Sequence, residues 1–309
     1  MNKRNDSAKT NLQGIIPPLI TPLKARDELD HAGLERLLEH VLAGGVHGLF
    51  ILGTTGEGPS LSYRLRRELI ERVCRQVRGR VPVLVGITDP SLVEAVGLAR
   101  HAADSGAQAV VASAPYYLAP SQDELVGYFR RLVADLPLPL FLYNIPQVTK
   151  VVFEANTIKG LTDLRNIAGI KDSSGDMKYF ARLIKLKRRR PDWSVFVGLE
   201  HHLSEAIHAG GDGGVNAGAN LHPRLFANLY QAAKDGDTAR EKKLQRQLLQ
   251  LGRIYRVSGS AARVIQGLKC ACAQRGLCAE FMAEPFAPLN PAERKKVAAI
   301  LEALNGVEV

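Results

Sequence analysis

Cysteine is scarce in this chain: four residues, Cys74, Cys270, Cys272 and Cys278, with no C-x-x-C pair among them. Three of them crowd one segment with a helical pattern, and a reducing compartment suits that usage best. Aromatic residues make up only 6%, and none interleave with the one dense basic run, Lys185-Leu186-Lys187-Arg188-Arg189-Arg190. The stacking platform of a single-strand nucleic-acid binder is therefore missing. The run closes a helical pattern before Pro191, where cations complement the helix dipole, and it reads as a solvated helix end. No apolar run approaches the roughly 18 residues needed to span a bilayer. Met1 to Asn11 is polar, without the apolar core of a signal peptide, so the expectation is a cytoplasmic protein that needs no membrane. The histidines include His201, His202 and His208, yet no His-Glu-x-x-His or Cys/His spacing accompanies them. They read as exposed or half-buried helix residues rather than metal ligands.

What is present is an ordinary globular composition, 46% hydrophobic and 23% charged over 309 residues. That length accommodates a barrel of about 250 residues with an extension. The balance of 41 basic and 31 acidic residues leaves +10, which favours anionic small molecules.

From residue 14 onward, short β-branched or apolar runs alternate with amphipathic stretches. The candidate strands are Gly14 to Ile20, Gly48 to Leu52, Val81 to Val85, Ala109 to Ala112, Leu138 to Tyr143, Ile167 to Ile170, Ser194 to Val197 and Gly213 to Val215. Between them, apolar residues recur every three and four positions, as in Leu34, Leu37, Leu38, Val41 and Leu42. Strict alternation demands a parallel sheet, and eight units predict an α/β fold closed into a (β/α)8 TIM barrel. An open dinucleotide-binding sheet would carry G-x-G-x-x-G after its first strand, where this chain reads Ile16-Pro17-Pro18-Leu19-Ile20. The cluster Gly210-Gly211-Asp212-Gly213-Gly214 reads as a tight helix-to-strand turn. Past Gly236 only helical patterns remain: Thr238 to Val257, Ala261 to Gln274 and Pro291 to Leu304. The predicted organisation is a barrel over residues 1–236 carrying the active site, and a C-terminal helical extension over 237–309.

In such a barrel, groups at the carboxyl ends of strands share one mouth. Lys171 ends the sixth strand pattern. A lysine walled by apolar neighbours loses hydration as a cation, which favours a neutral amine able to form a Schiff base with a ketone. Expelling water from the carbinolamine needs a proton shuttle, and Tyr143 at the end of the fifth strand is the candidate. The adjacent hydroxyls of Thr54 and Thr55, in a glycine-flanked turn, can hold a carboxylate beside that ketone. These groups together point to a 2-oxo acid substrate.

Gly53-Thr54-Thr55-Gly56-Glu57, Pro115-Tyr116-Tyr117, Tyr143-Asn144-Ile145-Pro146 and Gly169-Ile170-Lys171-Asp172 stand in order and spacing that resemble the dihydrodipicolinate synthase and N-acetylneuraminate lyase family. The resemblance runs from about residue 14 to 305 and implies a barrel with C-terminal helices, usually a homotetramer, working without cofactor or metal. It implies that Lys171 is the Schiff-base lysine for pyruvate and Tyr143 the proton-relaying tyrosine. Thr55 is similar to the pyruvate carboxylate contact, and Thr54 to the hydroxyl linking the relay to a second tyrosine. Tyr117 resembles that tyrosine, which family synthases take from a neighbouring subunit. Gly198 and Val215 fall where the family uses backbone near the substrate.

One position departs from the pattern. Family synthases carry an arginine two residues after the proline of the tyrosine motif, and here that position is Val148. No apolar residue replaces a bidentate guanidinium grip on the carboxylate of the aldehyde partner. Lys150 is the nearest cation in sequence, sitting where the family usually has glycine. The leading expectation is a class I pyruvate lyase or aldolase that joins pyruvate to an aldehyde, with a 2-keto-3-deoxy sugar acid as the product or substrate. Dihydrodipicolinate synthase, condensing pyruvate with aspartate semialdehyde, is the alternative within the same chemistry. A barrel that only binds an oxo acid, or nucleic acid, is the alternative of another class.

Overall fold

The computed structural model of the protein describes residues 11–304. Eight short apolar runs form parallel strands: β1 (Gly14–Ile15), β2 (Leu49–Ile51), β3 (Val83–Gly86), β4 (Ala109–Ser113), β5 (Leu140–Asn144), β6 (Ile167–Asp172), β7 (Ser194–Val197) and β8 (Gly213–Gly214). Each strand from β2 to β8 pairs in parallel with the next in sequence, and β8 pairs with β1. A single bridge between Pro18 and Phe50 closes the ring, with Leu19 N–H donating to the Phe50 carbonyl at 2.8 Å. The architecture is a (β/α)8 TIM barrel.

Strand period divides each run between two cores. Phe50, Leu84, Val111, Phe141 and Phe196 pack together inside the barrel. Ile51, Val85, Val110, Leu142 and Val195 face the helices. Those helices are α1 (His31–Ala43), α2 (Tyr63–Val77), α3 (Leu92–Asp104), α4 (Gln122–Asp135), the single turn α5 (Pro146–Thr149), α6 (Ala155–Leu161), α7 (Met177–Lys187), α8 (Leu203–His208) and α9 (Pro223–Asp235). Three more follow: α10 (Thr238–Leu251), which packs on α9, then α11 (Arg263–Gln274) and α12 (Pro291–Ala303). Ser121 and Asn290 close capping boxes with Glu124 and Glu293, satisfying the free amides that start α4 and α12. Among the described residues, no helix is long and apolar enough to cross a membrane.

Several boundaries differ from the sequence expectation for physical reasons. β1 stops at Ile15 rather than Ile20, because Pro17 and Pro18 have no N–H to continue a ladder. A hairpin of Leu23–Ala25 with Glu28–Leu29 lies outside the predicted elements. β6 runs on through Asp172, which puts Lys171 inside the strand instead of at its end. The Thr238 to Val257 pattern breaks at Leu251 into a tighter turn over Gly252–Arg256.

The basic run is not simply a solvated helix end. Lys187 Nζ bonds both oxygens of the buried Asp212, at 2.5 and 2.6 Å, and Asp212 Oδ2 accepts the Val195 N–H at 2.7 Å. Arg190 donates to the carbonyls of Thr162 and Ile167, at 2.6 and 3.1 Å. Both cations tie the amino ends of β6, β7 and β8 together, where strand starts leave carbonyls and amides without partners.

Candidate active site

Strand parity carries Lys171 inward. Ile170 faces the helices, so its successor faces the barrel interior, beside its register partners Tyr143 on β5 and Phe196 on β7. Lys171 is 6% exposed. Its Nζ lies 4.0 Å from the centre of the Tyr143 ring and 5.2 Å from that of Phe50. Two residues earlier stands Gly169, where a Cβ would lie 2.0 Å from the Ser194 carbonyl oxygen. Only glycine lets β6 press so closely on β7 at this level.

Beyond Lys171 the strand end is locked by a buried carboxylate. Asn144 Nδ2 donates to Asp172 Oδ1 at 2.8 Å, while Ser174 N–H and Oγ donate to the same group at 3.1 and 2.9 Å. Asn144 Oδ1 in turn accepts the Phe153 N–H at 3.2 Å. Burial pushes the Asp172 carboxyl up from its ordinary value, and the bonds from Asn144 and Ser174 pull against it. The pair joins the ends of β5 and β6, so Tyr143 and Lys171 share one rigid frame.

Thr54 and Thr55 occupy a turn closed on itself: Glu57 N–H donates to the Thr54 carbonyl at 3.1 Å and Gly58 N–H to that of Gly53 at 3.2 Å. Thr54 Oγ1 lies 3.4 Å from the Tyr143 hydroxyl oxygen. Leu52 and Glu57, on either side, are left-handed with φ of 59° and 57°. Each such residue costs about 1 kcal/mol or more, so the turn is a strained piece of backbone.

The turn, Tyr143 and α5 enclose a cavity of about 220 Å³. The hydroxyl-bearing residues Thr54, Thr88, Ser113, Tyr116, Tyr143 and Thr149 line it, together with Val148. Among the described residues, no charged side chain does. Ser113 N–H donates to Thr88 Oγ1 at 3.0 Å, fixing those two hydroxyls side by side. Lys150 does not line the cavity, and its Nζ donates to the Gln147 carbonyl at 3.0 Å.

The structure brings Lys171, Tyr143 and Thr54 together and distributes the other named residues around them. Thr55 is half-buried in the same turn. Gly198 N–H donates to the Asp172 carbonyl at 2.7 Å, and Val215 packs in the inner core with Phe196. Tyr117 does not reach this chain's cavity; it is 83% exposed, and its neighbour Tyr116 lines the cavity instead. Burial pushes the Tyr116 phenol up, Asp89 adding to the effect and Arg66 opposing it. Thr88, Ser113 and Thr149 escape sequence reasoning because isolated hydroxyl residues carry no spacing signal. Glu200, after β7, escapes it too. Its Oε2 accepts the Gly218 N–H at 2.9 Å and the Tyr255 hydroxyl at 3.3 Å, and burial pushes its carboxyl up to about 7. Among the described residues, no group of three His, Cys, Asp or Glu side chains could hold a metal ion.

The sequence matches the profile of the dihydrodipicolinate synthetase family over residues 11–304. The chain belongs to that family. It is 38% identical, over 78% of its own length and 81% of the relative's, to the probable 2-dehydro-3-deoxy-D-pentonate aldolase YjhH of Escherichia coli K12. Among solved structures it is similar to the dihydrodipicolinate synthase of Bacteroides thetaiotaomicron, with 47% identity and a TM-score of 0.92 over 94% of this chain and 98% of that one. It is also similar to YagE of E. coli K12, a member of the dihydrodipicolinic acid synthase family solved in complex with pyruvate. There the identity is 32% and the TM-score 0.90, over 95% of this chain and 98% of the other. Membership fixes the class of enzyme, a Schiff-base lyase of the class I aldolase type.

Proposed function

We propose that this enzyme cleaves or forms 2-keto-3-deoxy sugar acids, with pyruvate carried on Lys171 and an uncharged hydroxyaldehyde as the second partner. In the cleavage direction the Lys171 amine attacks the C2 ketone, and Tyr143 supplies the proton with which the carbinolamine oxygen leaves as water. The resulting iminium draws the C3–C4 bonding electrons toward nitrogen. Tyr143 takes the proton of the C4 hydroxyl, the bond breaks, and the aldehyde departs from an enamine. Protonation of the enamine at C3 and hydrolysis of the imine release pyruvate and restore the amine. Thr55 and the amides of its turn hold the pyruvate carboxylate, Thr54 relays the Tyr143 proton, and backbone at Gly198 and Val215 lines the substrate.

The choice of aldehyde rests on one observation: hydroxyl-bearing residues and Val148 line the cavity beside Tyr143, and among the described residues no cation does. A polyol aldehyde finds donors and acceptors there, whereas a carboxylate-bearing aldehyde would leave its charge unpaired. The name of one relative, YjhH of E. coli, supports the same reading. The second reading, condensation of pyruvate with aspartate semialdehyde, is favoured by the 47% identity to the Bacteroides synthase.

Borohydride trapping with pyruvate, followed by peptide mass spectrometry, tests the chemistry. The three-carbon adduct is expected on Lys171 and absent from Lys171→Ala; a wild-type chain that gains no adduct ends the proposal. Cleavage of 2-keto-3-deoxygluconate, measured beside condensation with the semialdehyde, decides the partner, and a faster semialdehyde rate makes the synthase reading the better one.

Tyr117 and Leu118 are 83% and 79% exposed, which suits a second copy of the chain receiving Tyr117 into its relay. A dimer or tetramer is therefore part of the proposal, and sedimentation of Tyr117→Ala beside the wild type measures it.

A further inference from the structure

The strained turn that carries Thr54 and Thr55 is held from outside the barrel. Glu57, which ends it, has a buried carboxylate that makes one hydrogen bond and one ion pair. Oε2 accepts the Ala283 N–H at 2.7 Å. Oε1 pairs with Nζ of Lys269, a fully buried lysine on α11 that also donates to the Phe281 carbonyl at 2.6 Å. Both partners of Glu57, and Phe281 with them, lie in the C-terminal part of the chain, beyond residue 260. Burial pulls the Lys269 ammonium down from its ordinary value, and Glu57 opposes that pull.

A buried ion pair is a weak source of net stability, since apolar residues of equal volume serve about as well; what it imposes is one geometry. Geometry is what the turn requires. Left-handed residues such as Leu52 and Glu57 persist only where their surroundings over-determine them. Thr21 Oγ1 holds the Gly56 carbonyl at 2.7 Å, and the Glu57 side chain supplies the remaining anchor. From Glu57 the path to the chemistry is short: its N–H donates to the Thr54 carbonyl at 3.1 Å, and Thr54 Oγ1 lies 3.4 Å from the Tyr143 hydroxyl.

We propose that Glu57 and Lys269 are a positioning pair, through which the C-terminal helices set where Thr54 and Thr55 stand relative to Tyr143. The extension is then part of the active-site frame. This inference rests on the Schiff-base reading, which gives the turn its two tasks, holding a carboxylate and relaying a proton.

Lys269→Met alone leaves a buried carboxylate without its cation and is expected to fold poorly. The informative protein is the double variant Glu57→Gln with Lys269→Met, which removes both charges at nearly constant volume. It is expected to melt within a few degrees of the wild type, yet to show a pyruvate KM raised about tenfold and borohydride trapping at saturating pyruvate slowed about tenfold. A folded double variant with wild-type KM and trapping rate overturns the proposal. Glu57→Asp, run alongside, keeps both charges and shortens the reach by one methylene. The same tenfold rise in pyruvate KM is expected of it, and an unchanged KM counts against the pair even if the double variant does not fold. The wild type is the control: without an adduct on Lys171 the Schiff-base reading itself fails, whereas equal trapping rates and equal KM in the wild type and the double variant refute only the positioning pair.

Discussion

Lys171 and Tyr143 are register partners on neighbouring parallel strands, and the lysine nitrogen lies over the face of the phenol ring, 4.0 Å from its centre. The ring and the hydroxyl of Tyr143 therefore meet different neighbours. The ring packs against the amine, and the hydroxyl faces Thr54.

Tyr143→Phe separates them. The ring contact with Lys171 survives, so the variant should fold as the wild type does and still bind pyruvate. Loss of the proton relay should lower kcat by about 10² to 10⁴. Stopped assays of sugar-acid cleavage measure it, and a fall of less than threefold would remove Tyr143 from the relay.

Val148 is 52% exposed on the cavity wall, so an arginine there has room. Val148→Arg should raise kcat/KM for condensation with aspartate semialdehyde by about ten- to a hundredfold, the worth of one charge-assisted grip. Cleavage of 2-keto-3-deoxygluconate should slow in the same variant. If neither rate moves, the position does not select the aldehyde.

Lys150 closes the α5 turn in the left-handed region, with φ of 62°, and its N–H caps the Pro146 carbonyl at 3.0 Å. A lysine carries a steric cost there that glycine avoids. Lys150→Gly should therefore stabilise the protein by about 0.5 to 1 kcal/mol, with little effect on activity because Lys150 does not line the cavity. Urea unfolding gives the difference, and a destabilised variant would contradict this account.

Glu200 gives the stability a pH dependence of known sign. Its carboxyl ionises near 7 in the folded protein, against an ordinary value of 4.5. Between those values the folded state keeps a proton that the unfolded chain releases. The contribution is therefore full below about 4.5 and is lost as pH rises through about 7. Glu200→Gln keeps an oxygen for Gly218 and Tyr255 and has no proton to lose. It should flatten the stability profile and gain stability at pH 8, on the order of 3 kcal/mol at most. Denaturant titrations at pH 5 and pH 8 test it; equal slopes for both proteins would rule Glu200 out as the source.

Much of this was legible along the chain. The eight β-then-α units appear as alternating apolar periods, and Lys171, Tyr143 and the Thr54-Thr55 turn stand at strand ends where a barrel gathers them. What stayed hidden has a common cause. Thr88, Ser113 and Thr149 have no periodicity, and nothing in Lys269 distinguishes it from a surface lysine on a helix, although it is fully buried. Lys187 and Arg190 read as solvent-facing cations because the carbonyls and the carboxylate they satisfy belong to strands elsewhere in the sequence. Tyr117 and Tyr116 are adjacent residues of one type, so only their exposure separates them.

The sequence alone settled the barrel, through hydrophobic period and strand count, and it placed Lys171, Tyr143 and the Thr54-Thr55 turn at strand ends, because position around a barrel follows chain order. Tertiary structure decided which tyrosine lines the cavity, that among the described residues no charged side chain lines it, and that a lysine of the C-terminal helices pairs with Glu57 at the end of the threonine turn. Those facts depend on distances between residues far apart along the chain, Glu57 and Lys269 above all. Local propensity carries no record of them, and only packing fixes them.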